Sequence, residues 1–156
     1  TQAIADSIKK MVELEIIDTG GIGGTLAGNA LSLAAMRATL THVLTKENFD
    51  RMIDLGTRWS DGVDAAIAEF DLPWSCNRLG ARGEYIFGKV APVTGADANN
   101  SGDFELEQYL HLRMLNDGFL ITPFHNMALM CPDTTSADVD AHSAAFRKMC
   151  AELVEA

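Results

Sequence analysis

Gly24-Thr25-Leu26-Ala27-Gly28-Asn29-Ala30-Leu31-Ser32-Leu33-Ala34-Ala35 is the stretch on which the reading of this chain turns. It closes a glycine run, with five glycines among residues 20–28, and that density rules out both regular helix and well-paired strand. A shaped loop is expected. Residues 30–44 are then rich in Ala, Leu and Met, with hardly a polar side chain before Arg37, as in a helix buried on most sides. A glycine loop that opens into a helix can turn backbone N–H groups toward an anion, and the helix dipole adds to the attraction. Phosphate is the obvious ligand. Neither common nucleotide spacing is met, because no Lys-Ser or Lys-Thr follows the last glycine and the loop follows a predicted helix instead of a strand. Spacing alone leaves a structural turn and an anion site both open.

Upstream, Ile4, Ile8, Met11 and Val12 keep a helical stripe and predict a helix over residues 2–17. It starts at Thr1 without a cap or an initiating Met, so further residues are expected to precede it. Downstream, Phe49, Met52, Ile53, Leu55, Trp59, Val63, Ala66, Ile67 and Phe70 predict a long helix over 47–70, weakened at Gly56 and Gly62 and ended by Leu72-Pro73. Residues 74–79 and 83–87 read as two strands, and 89–102 as a surface loop. Asp103 caps a helix over 104–116 that closes at Gly118. Residues 119–122 read as a short strand, and Thr135-Ser136-Ala137-Asp138 as a capping box, with Asp for Glu, at the head of a last helix. The order helix, two strands, helix, strand, helix predicts an α+β unit with a small, mostly antiparallel sheet.

The 156 residues carry 12 Lys and Arg against 22 Asp and Glu, a formal charge of −10. Such a surface repels nucleic acid and anionic lipid. No apolar run reaches the roughly 18 residues that a membrane span needs. Cys76, Cys131 and Cys150 are odd in number and widely spaced, which fits reduced, buried thiols and a cytoplasmic setting better than a disulfide framework. A metal site from His111, His125, Cys131 and His142 is rejected, since no two of them share ligand spacing on one helix or turn.

The quoted stretch resembles the G-T-x-x-G-N-P-L-x-x-A-A segment of class III aminotransferases, with Ala30 in place of the usual Pro. The resemblance continues through Asp71-Leu72-Pro73-Trp74-Ser75, Arg78-Leu79-Gly80-Ala81-Arg82-Gly83-Glu84-Tyr85 and Thr122-Pro123-Phe124-His125-Asn126, and so covers essentially the whole chain. It points to the glutamate-1-semialdehyde aminomutase and β-amino-acid transaminase branch. The implied fold is the C-terminal part of a fold-type I pyridoxal 5'-phosphate (PLP) enzyme: residues 1–46 end the large PLP-binding domain and 47–156 form the small domain. In that family the Gly-Thr pair reaches the cofactor phosphate of a neighbouring subunit, which carries over to Gly24 and Thr25 and implies a homodimer or larger homo-oligomer.

PLP chemistry needs a lysine that carries the cofactor as a Schiff base. None of Lys9, Lys10, Lys46, Lys89 and Lys148 has a suitable context, and by the resemblance the lysine falls before Thr1, in an N-terminal portion of the same protein. The chain alone is therefore expected to be inactive. Arg82 is a candidate for holding a substrate carboxylate, set against a surface ion pair. His125 is a candidate ring partner or proton carrier, set against a packing role. His125, Asn126 and Met127 fall on the loop that the resemblance assigns to substrate choice, where the aminomutases have an acidic residue and some β-amino-acid transaminases an arginine. An apolar Met127 there argues against the aminomutase reaction. The expected activity is amino transfer from an amino acid or amine, β- or ω-amino compounds among them, to a keto acid. The alternatives are a glutamate-1-semialdehyde 2,1-aminomutase and a non-catalytic binding or assembly module.

Overall fold

The structure, a computed structural model, describes residues 1–10, 26, 28–122 and 125–155. They form two compact units, Thr1–His42 and Val43–Ala156.

In the first unit, α1 (Gln2–Lys10) has Gln2 bonded to Asp6 across one turn; the rest of the helix expected over 2–17 lies outside the described residues. α2 (Ala30–Ala38) begins at Asn29, whose Oδ1 accepts from the Ser32 N–H at 2.9 Å while its Nδ2 donates to the Leu26 carbonyl. The helix runs on as a π-helical turn, Thr39–Val43, instead of continuing as α-helix to residue 44. Although α2 is as apolar as a core helix, none of its residues is buried, and Leu31, Leu33 and Met36 are exposed.

The second unit is built on α3 (Lys46–Glu69), capped by the Thr45 hydroxyl. Met52, Leu55, Trp59, Val63, Ala66 and Ile67 make its buried face, at the spacing that the sequence period requires. That face packs on α6 (Ser136–Glu155) and on one side of a three-stranded sheet. Burying side chains of this size stabilises by about 1.5–3 kcal/mol each. Gly56 and Gly62 are points of close approach: a Cβ at Gly56 would lie 2.8 Å from the Gly80 carbonyl oxygen, and one at Gly62 would lie 2.3 Å from the Ser143 hydroxyl. The chain leaves α3 through Asp71 in the left-handed region, φ 48°, and Pro73 follows.

β1 (Ser75–Leu79) and β2 (Arg82–Ile86) pair antiparallel across Gly80-Ala81, with Gly80 at φ 60° taking the turn position that disfavours a Cβ. β3 is Met127–Leu129, antiparallel to β2 with Glu84 opposite Met127 and Arg82 opposite Leu129. The strand expected at 119–122 is absent. The Phe119 N–H is committed to the Met114 carbonyl at 2.9 Å, closing α5 (Phe104–Asn116) behind Gly118 at φ 92°, so the edge of β2 is taken by later residues. The segment expected to be loop over 89–102 holds a short helix, α4 (Gly95–Asn100), with a capping box between Thr94 and Asp97. The box at Thr135 and Asp138 forms as the sequence suggests. The core is an aromatic stack in which Tyr85 lies 4.9 Å from Phe146 and 6.1 Å from Trp74 by ring centroids.

The cysteines are not all buried. Cys150 is buried and Cys76 half-buried, whereas Cys131 is exposed, with its sulfur accepting from the Thr134 hydroxyl in the turn before α6. No described helix is long and apolar enough to cross a membrane.

Candidate functional site

The two faces of the sheet differ, and strand alternation decides which residues take which side. Gly83 and Tyr85 face α3, where Tyr85 is buried and a Cβ on Gly83 would fall 2.5 Å from the Trp59 ring. Arg82, Glu84 and Ile86 face the other way. Pairing adds Asn77 and Met127 on either side of Glu84, and Leu79 and Leu129 on either side of Arg82. The outer face thus places polar groups among apolar ones.

Its centre is the Glu84 carboxylate. Arg82 Nη2 donates to Glu84 Oε2 at 3.0 Å, and His125 Nδ1 lies 3.2 Å from Glu84 Oε1. The Arg82 Nε side rests against the Met127 sulfur at 2.6 Å. Arg82 and His125 are about half exposed, whereas the Glu84 side chain is only 24% exposed, so the carboxylate is held between its partners and the sheet. Asn126 is 6% exposed. Its carbonyl accepts from the Tyr85 N–H at 3.2 Å, which fixes the residue next to His125 onto β2, while its side-chain oxygen and the Tyr85 hydroxyl are buried without a partner. Burial pushes the Tyr85 hydroxyl pKa up.

Two adjoining cavities of about 420 and 470 Å³ run along this face. Both include Arg82, Glu84 and Ile86, and Gly95 and Ala98 of α4 form their roof; Asn99, Glu107, His125 and Asn126 line the second. The cleft therefore has two guanidinium groups, Arg78 and Arg82, two carboxylates, an imidazole and three side-chain amides among apolar residues, a composition suited to a small polar substrate. On the inner side of the sheet, burial drives the His142 pKa down to about 4 and the Cys76 thiol up to about 12; both belong to the core side.

The substrate-pocket residues read from the sequence, Arg82, His125, Asn126 and Met127, thus come together, although 43 or more positions separate the first from the rest. Glu84, which joins Arg82 to His125, was not singled out by sequence; strand alternation with Arg82 is the signal that points to it. Gly24 and Thr25 lie outside the described residues. Lys46, Lys89 and Lys148 are exposed and line neither cavity. Among the described residues no three His, Cys, Asp or Glu side chains are grouped to hold a metal ion.

No family model matches the chain. A glutamate-1-semialdehyde aminomutase from Pseudomonas aeruginosa PAO1 is 47% identical to it, with a TM-score of 0.80, over 87% of this chain and 30% of that one; a second structure of such an enzyme from the same strain holds PMP. The glutamate-1-semialdehyde 2,1-aminomutase of Clostridium botulinum (strain Alaska E43 / Type E3) is 28% identical over 144 residues, 90% of this chain and 34% of that protein. An omega-transaminase from Sphaerobacter thermophilus is 25% identical, with a TM-score of 0.63, over 83% of this chain and 30% of that one. The chain spans about a third or less of the length of the relatives it matches.

Proposed function

Since the chain belongs to the class III PLP-dependent aminotransferases, as a C-terminal part of one, we propose that it works within an enzyme that passes an amino group from an amino acid or amine to a keto acid. The observation that carries this reading is the outer sheet face, where Arg82, Glu84, His125 and Asn126 meet in one cleft on a fold shared with such enzymes. PLP, when bound, supplies an electron sink for the substrate carbon that gives up its proton. In this reading Gly24 and Thr25 reach the cofactor phosphate of a neighbouring subunit. The helix start that follows them has no acidic side chain in its first turn to repel an anion. The lysine that holds the cofactor comes from outside these residues.

Within the cleft, Arg82 holds a substrate carboxylate, with Glu84 fixing the guanidinium and Met127 supporting it from one side. Asn126 lies beneath and keeps the His125 backbone against β2. Ile86 and Ala98 give the cleft its apolar contacts. A homodimer or larger homo-oligomer follows from the shared phosphate site, and the small-molecule partners are an amino donor and a keto acceptor, with β- and ω-amino compounds included.

A second reading, intramolecular amino shift on a semialdehyde, is favoured by what the relatives from Pseudomonas aeruginosa and Clostridium botulinum are called. Assaying the intact enzyme with PLP separates the two. Amino transfer to pyruvate or 2-oxoglutarate supports the first, turnover of glutamate-1-semialdehyde without any keto acid supports the second, and a protein whose cofactor absorbance responds to no amino compound contradicts both.

A further inference from the structure

We propose that His125 is a catalytic base of the cleft, held by Glu84 so that its Nε2 takes the proton which an incoming ammonium must lose before it can react. This inference rests on the amino-transfer reading. It starts from one contact, His125 Nδ1 to Glu84 Oε1 at 3.2 Å. An ionised carboxylate has only acceptors, so the ring nitrogen facing it carries the hydrogen and the other nitrogen keeps its lone pair. The neutral histidine side chain in water favours the Nε2–H form, so Glu84 sets the tautomer as well as the ring orientation.

The dyad is built on rigid parts. Glu84 sits mid-strand on β2, which is backed by Trp59 against Gly83 and cannot sink toward α3. Its second oxygen is tied to Arg82. The backbone of Asn126 is bonded to Tyr85 on the same strand, so both halves of the pair are registered on β2. The ring itself lines the second cavity and is about half exposed, which leaves room for a ligand.

The step balances simply. A substrate ammonium gives one proton to His125 Nε2 and becomes a neutral amine with a free electron pair. The imidazolium formed faces the Glu84 carboxylate, and in the reverse half-reaction the same proton returns to the departing amine. Glu84 is a positioning residue, because it touches the base and not the substrate. The other charged groups lining the cleft are Arg78 on β1, Arg82 on β2 and Glu107 on α5; α4 carries Asp97, whose carboxylate accepts from the Val93 and Thr94 N–H groups, and β3 carries none.

The test has two arms on the intact enzyme. In the first, two-bond 1H–15N correlation spectra of the wild-type protein report which nitrogen of His125 is protonated, with Glu84→Ala as the comparison. The inference expects an Nδ1–H tautomer that reverts to Nε2–H in E84A. In the second, the first half-reaction with an amino donor is followed by cofactor absorbance from pH 7 to 10. His125→Gln is expected to slow it by roughly 100-fold or more near pH 7, with the deficit shrinking as the donor loses its own proton. A merely structural role would leave the deficit constant with pH. An Nε2–H tautomer in an active wild-type enzyme, or a pH-independent deficit in H125Q, overturns the inference and leaves the amino-transfer reading standing; a wild-type protein without any amino transfer overturns both.

Discussion

Replacing Gly83 by Ala probes the contact that supports the whole cleft. A Cβ there would lie 2.5 and 2.6 Å from two carbons of the Trp59 ring, so reaching ordinary contact at 3.4 Å requires the ring or the strand to yield by about 0.9 Å. The ring has nowhere to go, being 2% exposed and set between Tyr85, 6.5 Å away by centroid, and His142 at 5.6 Å. Overpacking of this kind costs about 1–3 kcal/mol, and the lower chain entropy of Ala in the unfolded state returns about 0.4–1 kcal/mol. The middle of both ranges leaves a net loss of about 1.3 kcal/mol. With a urea dependence of about 2 kcal/mol per molar, the unfolding midpoint falls by about 0.5–1 M. Because β2 moves when the ring does not, the Glu84–His125 contact should loosen too, visible as a change in the His125 ring signals. Urea titration followed by tryptophan fluorescence measures the first effect. A midpoint equal to or above that of wild type would refute the packing argument, since β-strand preference alone favours Ala over Gly.

Three further outcomes are expected. Cys131 is exposed and its pKa is lowered, chiefly by the Thr134 hydroxyl, whereas burial raises Cys76 and Cys150 to about 12; a disulfide reagent at pH 7 should modify one thiol rapidly, and Cys131→Ser should abolish that phase. His142 has its folded pKa lowered to about 4 by burial, from a usual 6.5: the unfolded chain binds the proton more readily, so stability is fully present above pH 6.5 and is lost as the pH falls toward 4. About 3 kcal/mol is at stake by the linkage relation, and His142→Gln should flatten the denaturation profile in that window relative to wild type. Thr135→Ala removes the acceptor for the Asp138 N–H and should lower stability by about 1 kcal/mol, measurable by the same urea titration.

The sequence made the long helices legible because 3.6-residue periods and caps at Asp103 and Thr135 are local signals. The hairpin was legible for the same reason, through Gly80. The third strand was not, because β-pairing here is decided by which segment can reach the free edge of β2, and the hydrogen bond from Phe119 to Met114 had already withdrawn the more β-like run. α4 was hidden by a turn-rich composition, although the Thr94–Asp97 box that starts it is itself a local pattern. Gly56 and Gly62 read as weak points of a helix and are instead places where α3 touches the hairpin and α6, a distinction only packing can make. The candidate site was legible in its parts: Arg82 and His125 stood out as residue types, but the carboxylate that binds them together needed the register of β2 against β3.

The central claim, that the outer face of the sheet borders a PLP active site, is tested most directly by a crystal structure of the intact enzyme with cofactor and a bound keto acid. The account predicts the Arg82 guanidinium or the His125 ring within hydrogen-bond reach, about 3 Å, of the ligand. A ligand seated elsewhere, with this face turned to bulk solvent, would contradict it.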